Sequence, residues 1–194
     1  MILLLLGIFA TGAGLGQATG GPFSWLGGGS KEPPREFPVL KPSKPVRMTI
    51  KSIKVAAPVM QVGLADDGSI AVPDLDRHNQ AGWYEDGPTP GQFGPAIIVG
   101  HADTRTGPSV FHGLPKLPAG AKIEIVREDR STAIFEVNSV ERFDKGQLPA
   151  ERVYGDYRRP GLRLITCGGE WRGGGIGYAD NIIAFASLVS VRKP

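Results

Sequence analysis

Short stretches in which apolar and polar residues alternate recur along the C-terminal three quarters of the chain. Two of them, 122–127 and 133–142, flank the polar segment 128–131, and two more lie at 162–166 and 181–191. Alternation with a period of two is typical of a half-buried strand, and two such strands around a short polar segment predict a hairpin. The pattern therefore predicts a mainly β fold.

Further strands are predicted at 46–54 and 57–64, with a break at 56–58, and in the short apolar run 97–99. Residues 74–84 are expected to form a short helix or a loop. The total is about eight short strands with one or two short helices. We expect the strands to close into a β-barrel, because closure removes exposed strand edges.

The first 45 residues lack this pattern. Residues 1–20 begin with a run of apolar or small side chains and carry no charge, which predicts a membrane anchor or a signal-like segment. No Lys or Arg precedes the apolar run, although export signals normally begin with basic residues. Residues 21–45 are rich in Gly, Pro and Lys and predict a flexible linker. The folded domain is therefore expected to span 46–194.

Composition and charge narrow the function. The 28 glycines and 17 prolines favour short strands and turns over a helical bundle. The net charge of +3 resides in residues 31–47, and residues 48–194 carry equal numbers of basic and acidic side chains. A folded part without a basic excess argues against a nucleic-acid partner. One cysteine and three scattered histidines do not have metal-ligand spacing, so we expect no metal or other cofactor.

Two residues carry the candidate chemistry. The single cysteine, Cys167, follows the alternating run 162–166 and precedes Gly168 and Gly169, which predict an abrupt turn and leave the thiol at a strand end. His101 ends the apolar run that begins at residue 94. A thiolate and an imidazole together suffice for nucleophilic catalysis. A lone cysteine that only fills the core is the alternative for Cys167.

These residues resemble the sortase family of cysteine transpeptidases. The segment 164–167, LITC, is similar to the sortase TLxTC signature, and Gly100-His101 is similar to its catalytic histidine at a strand end. The segments 100–103 (GHAD), 107–111 (GPSVF), 167–169 (CGG) and 180–181 (DN) are similar to class F, or more broadly class E/F, sortases of Gram-positive actinobacteria. The resemblance covers roughly residues 45–192.

The resemblance implies an eight-stranded sortase-type barrel and a reaction. Cys167 would attack the carbonyl of a threonine-like residue in a sorting-signal peptide of a secreted surface protein and form a thioester. His101 would give a proton to the leaving amine, and a cell-wall peptidoglycan precursor amine would then resolve the acyl-enzyme. The resemblance also implies a location on the extracytoplasmic face of the cell membrane, anchored through residues 1–20.

The resemblance further implies a third catalytic residue, an arginine at the start of the last strand. Alignment of the apolar run 182–186 places Asn181 in this position, and Arg172 is the other candidate. Asn181 can donate a hydrogen bond to an oxyanion but brings no charge. Candidate substrate-binding residues are Thr166 through its hydroxyl, Gly168 through its backbone amide, and Asp103 near His101.

Other functions remain open. A papain-like cell-wall cysteine peptidase also uses Cys and His, but its cysteine precedes its histidine, the reverse of the order here. An L,D-transpeptidase carries its cysteine just after a His-Gly pair, whereas no such pair directly precedes Cys167 in this chain. A non-catalytic cell-surface β-barrel that binds a ligand would need no thiol, so alkylation of Cys167 would leave its binding unchanged.

Overall fold

The computed structural model describes residues 37–173 and 177–194. All of them belong to one compact unit. The proposed anchor 1–20 and most of the linker 21–45 lie outside the described residues. In the described part of the chain, no helix is long and apolar enough to cross a membrane.

Ten strands and one α-helix make up the described chain. The strands are β1 Pro45–Ile50, β2 Val55–Val62, β3 Ala81–Tyr84, β4 Gly94–Val99, β5 Asp103–Thr104, β6 Gly107–Pro108, β7 Lys122–Arg127, β8 Thr132–Asp144, β9 Pro160–Trp171 and β10 Tyr178–Arg192. The helix is α1, Ala150–Tyr154, and the 3₁₀ turns are Lys51–Ile53, Leu75–Arg77, Leu114–Lys116 and Lys145–Gln147.

Eight of these strands close into a barrel in the order β1-β2-β3-β4-β9-β10-β8-β7, and β7 pairs back onto β1. Neighbouring strands are antiparallel except in the pairs β2–β3 and β4–β9, which are parallel. The strands β5 and β6 form a separate ribbon directly after His101. The predicted mainly β, eight-stranded barrel is therefore confirmed.

The alternation of side chains sorts residues between the inside and the outside of the barrel. The interior holds the main apolar core, with Ile125, Phe135, Leu164 and Ala184 from four neighbouring or facing strands. Burying one such large apolar side chain stabilises the fold by about 1.5 to 3 kcal/mol. The outer face of β9 and β10 carries a smaller cluster, in which Val153 of α1 packs on the sheet. This helix covers part of the sheet that carries Cys167.

Several predicted boundaries were wrong. The first two strands are separated by the 3₁₀ turn Lys51–Ile53 rather than at 56–58, because Lys54 adopts a left-handed conformation with φ of 56°. Pro58 is accommodated inside β2, at a point where the ladder to β3 has not yet begun. The segment 74–84 contains both a 3₁₀ turn and the strand β3.

Residues 37–44, the last part of the predicted linker, lie against the barrel. The backbone N–H of Leu40 donates to the carbonyl of Gly91 at 2.8 Å. The guanidinium of Arg127, only 1% exposed, donates to the carbonyls of Lys41 and Ser43. Burial lowers the pKa of Arg127, and the nearby charge of Asp129 raises it. Residues 37–44, which we call the arm, thus supply hydrogen-bond acceptors for a buried cation of the barrel.

Candidate active site

The parallel ladder between β4 and β9 ends just before His101 and Cys167. Its last pair, Val99 opposite Ile165, lies two residues before each of them, and Val99 and Ile165 share a cluster on the outer face of the barrel. An extended continuation of both strands would put His101 and Cys167 about 5 Å apart in the hydrogen-bonding direction. The carbonyl of His101 accepts from the backbone N–H of Phe111. The ladder therefore brings two segments that are distant in sequence to the same end of the sheet.

Gly100 and Thr166 fix the end of this ladder. The N–H of Gly100 donates to the carbonyl of Ile165 at 3.1 Å, and the hydroxyl of Thr166 donates to the carbonyl of Gly100 at 2.7 Å. A Cβ at Gly100 would lie 2.6 Å from Val110 and 2.8 Å from Phe111, so no larger residue fits. Thr166 is 3% exposed, and its hydroxyl holds the strand rather than facing a substrate.

His101 is oriented by one hydrogen bond. Its Nε2 lies 2.7 Å from the carbonyl oxygen of Pro73. A carbonyl only accepts, so this bond assigns the proton to Nε2 and leaves Nδ1 as the free acceptor of the neutral ring. Among the described residues, Nδ1 has no hydrogen-bond partner. The imidazole is thus prepared to accept a proton through Nδ1.

The thiol of Cys167 is half-buried and unbonded. No hydrogen bond joins it to His101 or to another residue of the described chain. Catalytic hydrogen bonds are often long in the absence of substrate. Cys167 itself is of intermediate burial, so part of the residue is accessible to solvent.

The predicted strand end at Cys167 was wrong. β9 continues to Trp171 and pairs with β10 throughout, with a register shift between Tyr178 and Asp180. Gly169, with φ of 83°, lies at this bulge, where a Cβ would approach the Asp180 carboxylate to 2.2 Å. Gly169 and Glu170 together face Ala179, so the chain after Cys167 forms a β-bulge within a long hairpin rather than an abrupt turn.

The structure places Asn181 at the thiol and Arg172 away from it. Asn181 lies directly opposite Cys167 in the antiparallel β9–β10 pair, so their side chains share one face with Cβ atoms about 5 Å apart. Arg172 follows the end of β9, is exposed, and donates its backbone N–H to the carbonyl of Gly177. Arg172 comes five residues after Cys167, which in extended chain corresponds to about 16 Å between the two backbone positions.

Gly168 directly follows Cys167 in β9 and lies opposite Asp180 of β10. A Cβ on Gly168 would come within 2.5 Å of the Ile182 side chain, so glycine is required by packing inside the barrel. This close approach is to the protein's own core, on the opposite face of the strand from Cys167. Asp180 in turn forms an ion pair with Arg142 at 3.1 Å.

A residue that the sequence did not single out, Tyr178, joins the two sides of the site. Its hydroxyl donates to Asp103 at 2.6 Å, which links the start of β10 to β5. This bond raises the pKa of the Tyr178 phenol, and burial and the charges of Asp103 and Cys167 act in the same direction. Tyr178 therefore lies within electrostatic range of the thiol. In the sequence, only the position of Tyr178, three residues before Asn181, could have indicated that it lies near the site.

The fold and a family comparison agree. The sortase domain profile matches residues 48–189. A solved sortase A from Listeria monocytogenes superposes with a TM-score of 0.58 at 15% identity, covering 77% of this chain and 90% of that one. A Clostridium perfringens sortase D5 transpeptidase gives 0.55 at 19% identity, covering 76% and 79%. Comparison with curated proteins finds no similar sequence.

Proposed function

The chain belongs to the sortase family, and from this premise we propose that it is a cysteine transpeptidase that cleaves a C-terminal sorting signal of surface proteins. The product is transferred to a cell-wall amine. The observation that supports the proposal is the register of the strands: Asn181 lies opposite Cys167, and the β4–β9 ladder ends two residues before both His101 and Cys167. A nucleophile, a proton carrier and a hydrogen-bond donor are the parts that acyl transfer requires.

In the proposed reaction, the Cys167 thiol gives its proton to Nδ1 of His101. The thiolate attacks the carbonyl carbon of a threonine-like residue and forms a C–S bond. The side-chain N–H of Asn181 donates to the developing oxyanion. The C–N bond then breaks, the leaving amine takes the proton from the imidazolium, and a thioester remains on Cys167.

The second half reverses these roles. An incoming amine attacks the thioester carbonyl and gives a proton to His101 as the new C–N bond forms. The C–S bond breaks, and the thiol is restored. We propose a peptidoglycan precursor amine as this acceptor. Water in its place would make the protein a cell-wall cysteine peptidase.

We also propose a cellular location and substrates for this reaction. We place the catalytic domain on the extracytoplasmic face of the cell membrane, held by residues 1–20. Sorting-signal peptides of secreted surface proteins are the proposed substrates. The segments 100–103 and 107–111 support a class E/F, and within it a class F, assignment.

Substitution of the thiol tests the proposal. We expect Cys167→Ala to fold with an unchanged melting temperature and to lose all cleavage of sorting-signal peptides, and alkylation of the wild-type thiol to do the same. A core-filling cysteine would give lower stability with activity retained. A non-catalytic binding barrel would keep ligand binding after alkylation, which would contradict the proposal.

A further inference from the structure

A groove of about 640 Å³ lies on the outer face of the barrel beside α1. Its floor is formed by Gly161, Arg163 and Phe185 of β9 and β10, and its wall by the segment that follows α1. Its volume falls in the range of small-ligand sites. Four arginines line it, Arg152, Arg158, Arg159 and Arg163, against two acidic residues, Glu151 and Asp156.

Arg163 is a buried cation with an unused donor. It is 7% exposed, and its guanidinium lies 4.8 Å from the centre of the Phe185 ring. Its two terminal nitrogens donate to the carbonyls of Leu162 at 3.2 Å and Arg152 at 3.4 Å, while its Nε is buried without a partner in the described chain. A buried polar group without a partner is costly, so this donor points to a missing acceptor.

The other arginines differ in how their charge is balanced. Arg152 forms a bidentate ion pair with Glu141, and Arg158 forms an ion pair with Asp156 at 3.0 Å. In the part of the chain that the structure describes, Arg159 forms no ion pair, and its Nε is buried without a hydrogen bond. Arg159 and Arg163 thus supply two positive charges without a carboxylate in direct contact.

Asp156 is an acidic residue of the groove whose charge acts on Arg163. Burial lowers the pKa of the Arg163 guanidinium, and the charge of Asp156 opposes that effect. Asp156 itself is held by Arg158, and this bond lowers the pKa of its carboxyl group. Because Asp156 is already paired with Arg158, it balances Arg163 only in part.

We propose that this groove binds a phosphate-bearing ligand through Arg159 and Arg163. A guanidinium presents a planar fork of donors that fits phosphate or carboxylate oxygens. With Glu151, which also lines the groove, the charges left after the two arginine–carboxylate pairs sum to +1, so the groove attracts an anion such as a phosphate group. The side chains of Asn138, Ser139 and Ser187, which also line the groove, add neutral polar groups for the remaining oxygens.

The groove is distinct from the thiol site. Arg163 and Cys167 lie on the same face of β9, four residues or about 13 Å apart. Between them, Val153 of α1 packs against Ile183 and Phe185. A ligand in the groove therefore leaves the surface at Cys167 open, and the inference goes beyond the proposed transpeptidation.

Titration of the full chain with inorganic pyrophosphate, monitored by calorimetry at constant ionic strength, tests the inference. We expect saturable binding to the wild type and to Cys167→Ala alike. Arg159→Gln should weaken binding about tenfold or more, the size of a lost charge-assisted hydrogen bond. The matched control Arg47→Gln removes an exposed arginine on β1 and should bind as the wild type does.

Three results would overturn the inference: no saturable binding, equal weakening by Arg47→Gln, or binding of the dicarboxylate succinate as tight as that of pyrophosphate. Arg163→Lys keeps the charge and loses the fork, and it should also weaken binding. If its melting curve shows that it does not fold, Arg159→Gln alone decides, because Arg159 lies at the wall of the groove rather than under it.

Discussion

At the residue scale, the candidate site consists of few groups. The carbonyl of Pro73 fixes the proton of His101 on Nε2 and leaves Nδ1 as the acceptor that the proposed reaction uses. Cys167 has no competing hydrogen bond among the described residues, so its proton is available for transfer. The family arginine is not found at the expected position, and Asn181 lies opposite the thiol instead.

We expect Asn181→Ala to lower kcat about a hundredfold or more, the effect of removing one oxyanion donor. Asn181→Asp should be at least as damaging, because a carboxylate would face a developing negative charge. Arg172→Ala is the control, since Arg172 lies beyond the end of β9, and it should change mainly KM. Steady-state kinetics with a sorting-signal peptide measures all three.

The reverse pattern, in which Arg172→Ala loses kcat and Asn181→Ala does not, would assign the donor to Arg172. In that case Arg172→Lys should recover activity only partly, since an ammonium lacks the planar fork. If both alanine variants keep the wild-type kcat, the backbone amide of Gly168 becomes the leading candidate.

The Tyr178–Asp103 bond gives a pH prediction. Because folding raises the pKa of Tyr178 above the tyrosine value of about 10, the bond stabilises the protein below that pH. Its contribution is lost as the pH rises through the higher folded pKa. Ultraviolet titration should show that Tyr178→Phe removes one late ionisation and that Asp103→Asn moves it to lower pH. An unchanged titration curve in Asp103→Asn would contradict this.

At the element scale, the pairing of β4 with β9 creates the site, and the Thr166 hydroxyl holds its end. We expect Thr166→Val to cost about 1 to 3 kcal/mol of stability, because it leaves the Gly100 carbonyl unsatisfied. It should also lower kcat/KM, since His101 follows Gly100. Denaturant unfolding and peptide cleavage measure the two effects.

Thr166→Ser is the matched control for this hydroxyl. It loses a buried methyl group, worth about 0.8 kcal/mol, but keeps the donor to Gly100. It should therefore retain activity close to the wild type. If Thr166→Ser is as inactive as Thr166→Val, packing rather than the hydrogen bond holds the strand end.

Sequence patterns predicted the long elements and missed the short ones. The hairpin of β7 and β8 and the strand β10 follow directly from alternation. The strand β3 has four residues and α1 has five, so each repeats its pattern at most twice, which is too short to distinguish it from a loop. The extent of β9 beyond Cys167 was missed because a glycine pair was assigned to a turn, whereas cross-strand pairing with β10 converts it to a bulge.

For the candidate site, the sequence indicated which residues to consider but not how they are arranged in space. Cys167 and His101 stand out because a unique thiol and a histidine each follow an apolar run. Alignment of the run 182–186 placed Asn181 ahead of Arg172, but its position directly opposite Cys167 depends on strand register, which the three-dimensional pairing reveals. The position of Tyr178 and the groove around Arg163 result from contacts between segments distant in sequence, which no local sequence pattern predicts.

At the scale of the whole molecule, the arm 37–44 contributes to the barrel. A chain that begins at residue 37 should melt as the full chain does. A chain that begins at residue 45 removes the carbonyls of Lys41 and Ser43 from the buried Arg127. We expect it to lose about 3 kcal/mol, from two hydrogen bonds to a charged group. Equal melting temperatures would show that the arm adds nothing.

The chain carries a single thiol, that of Cys167, which is half-buried in the barrel sheet, and our central proposal is that this thiol carries the acyl group. Intact-protein mass spectrometry after mixing with a sorting-signal peptide tests it most directly. We expect one adduct, of the mass of the N-terminal peptide fragment, attached to Cys167 and removed by an added amine. His101→Ala should form it far more slowly, and Cys167→Ala should not form it at all. Peptide cleavage without an adduct, or an adduct that persists in Cys167→Ala, would contradict the account.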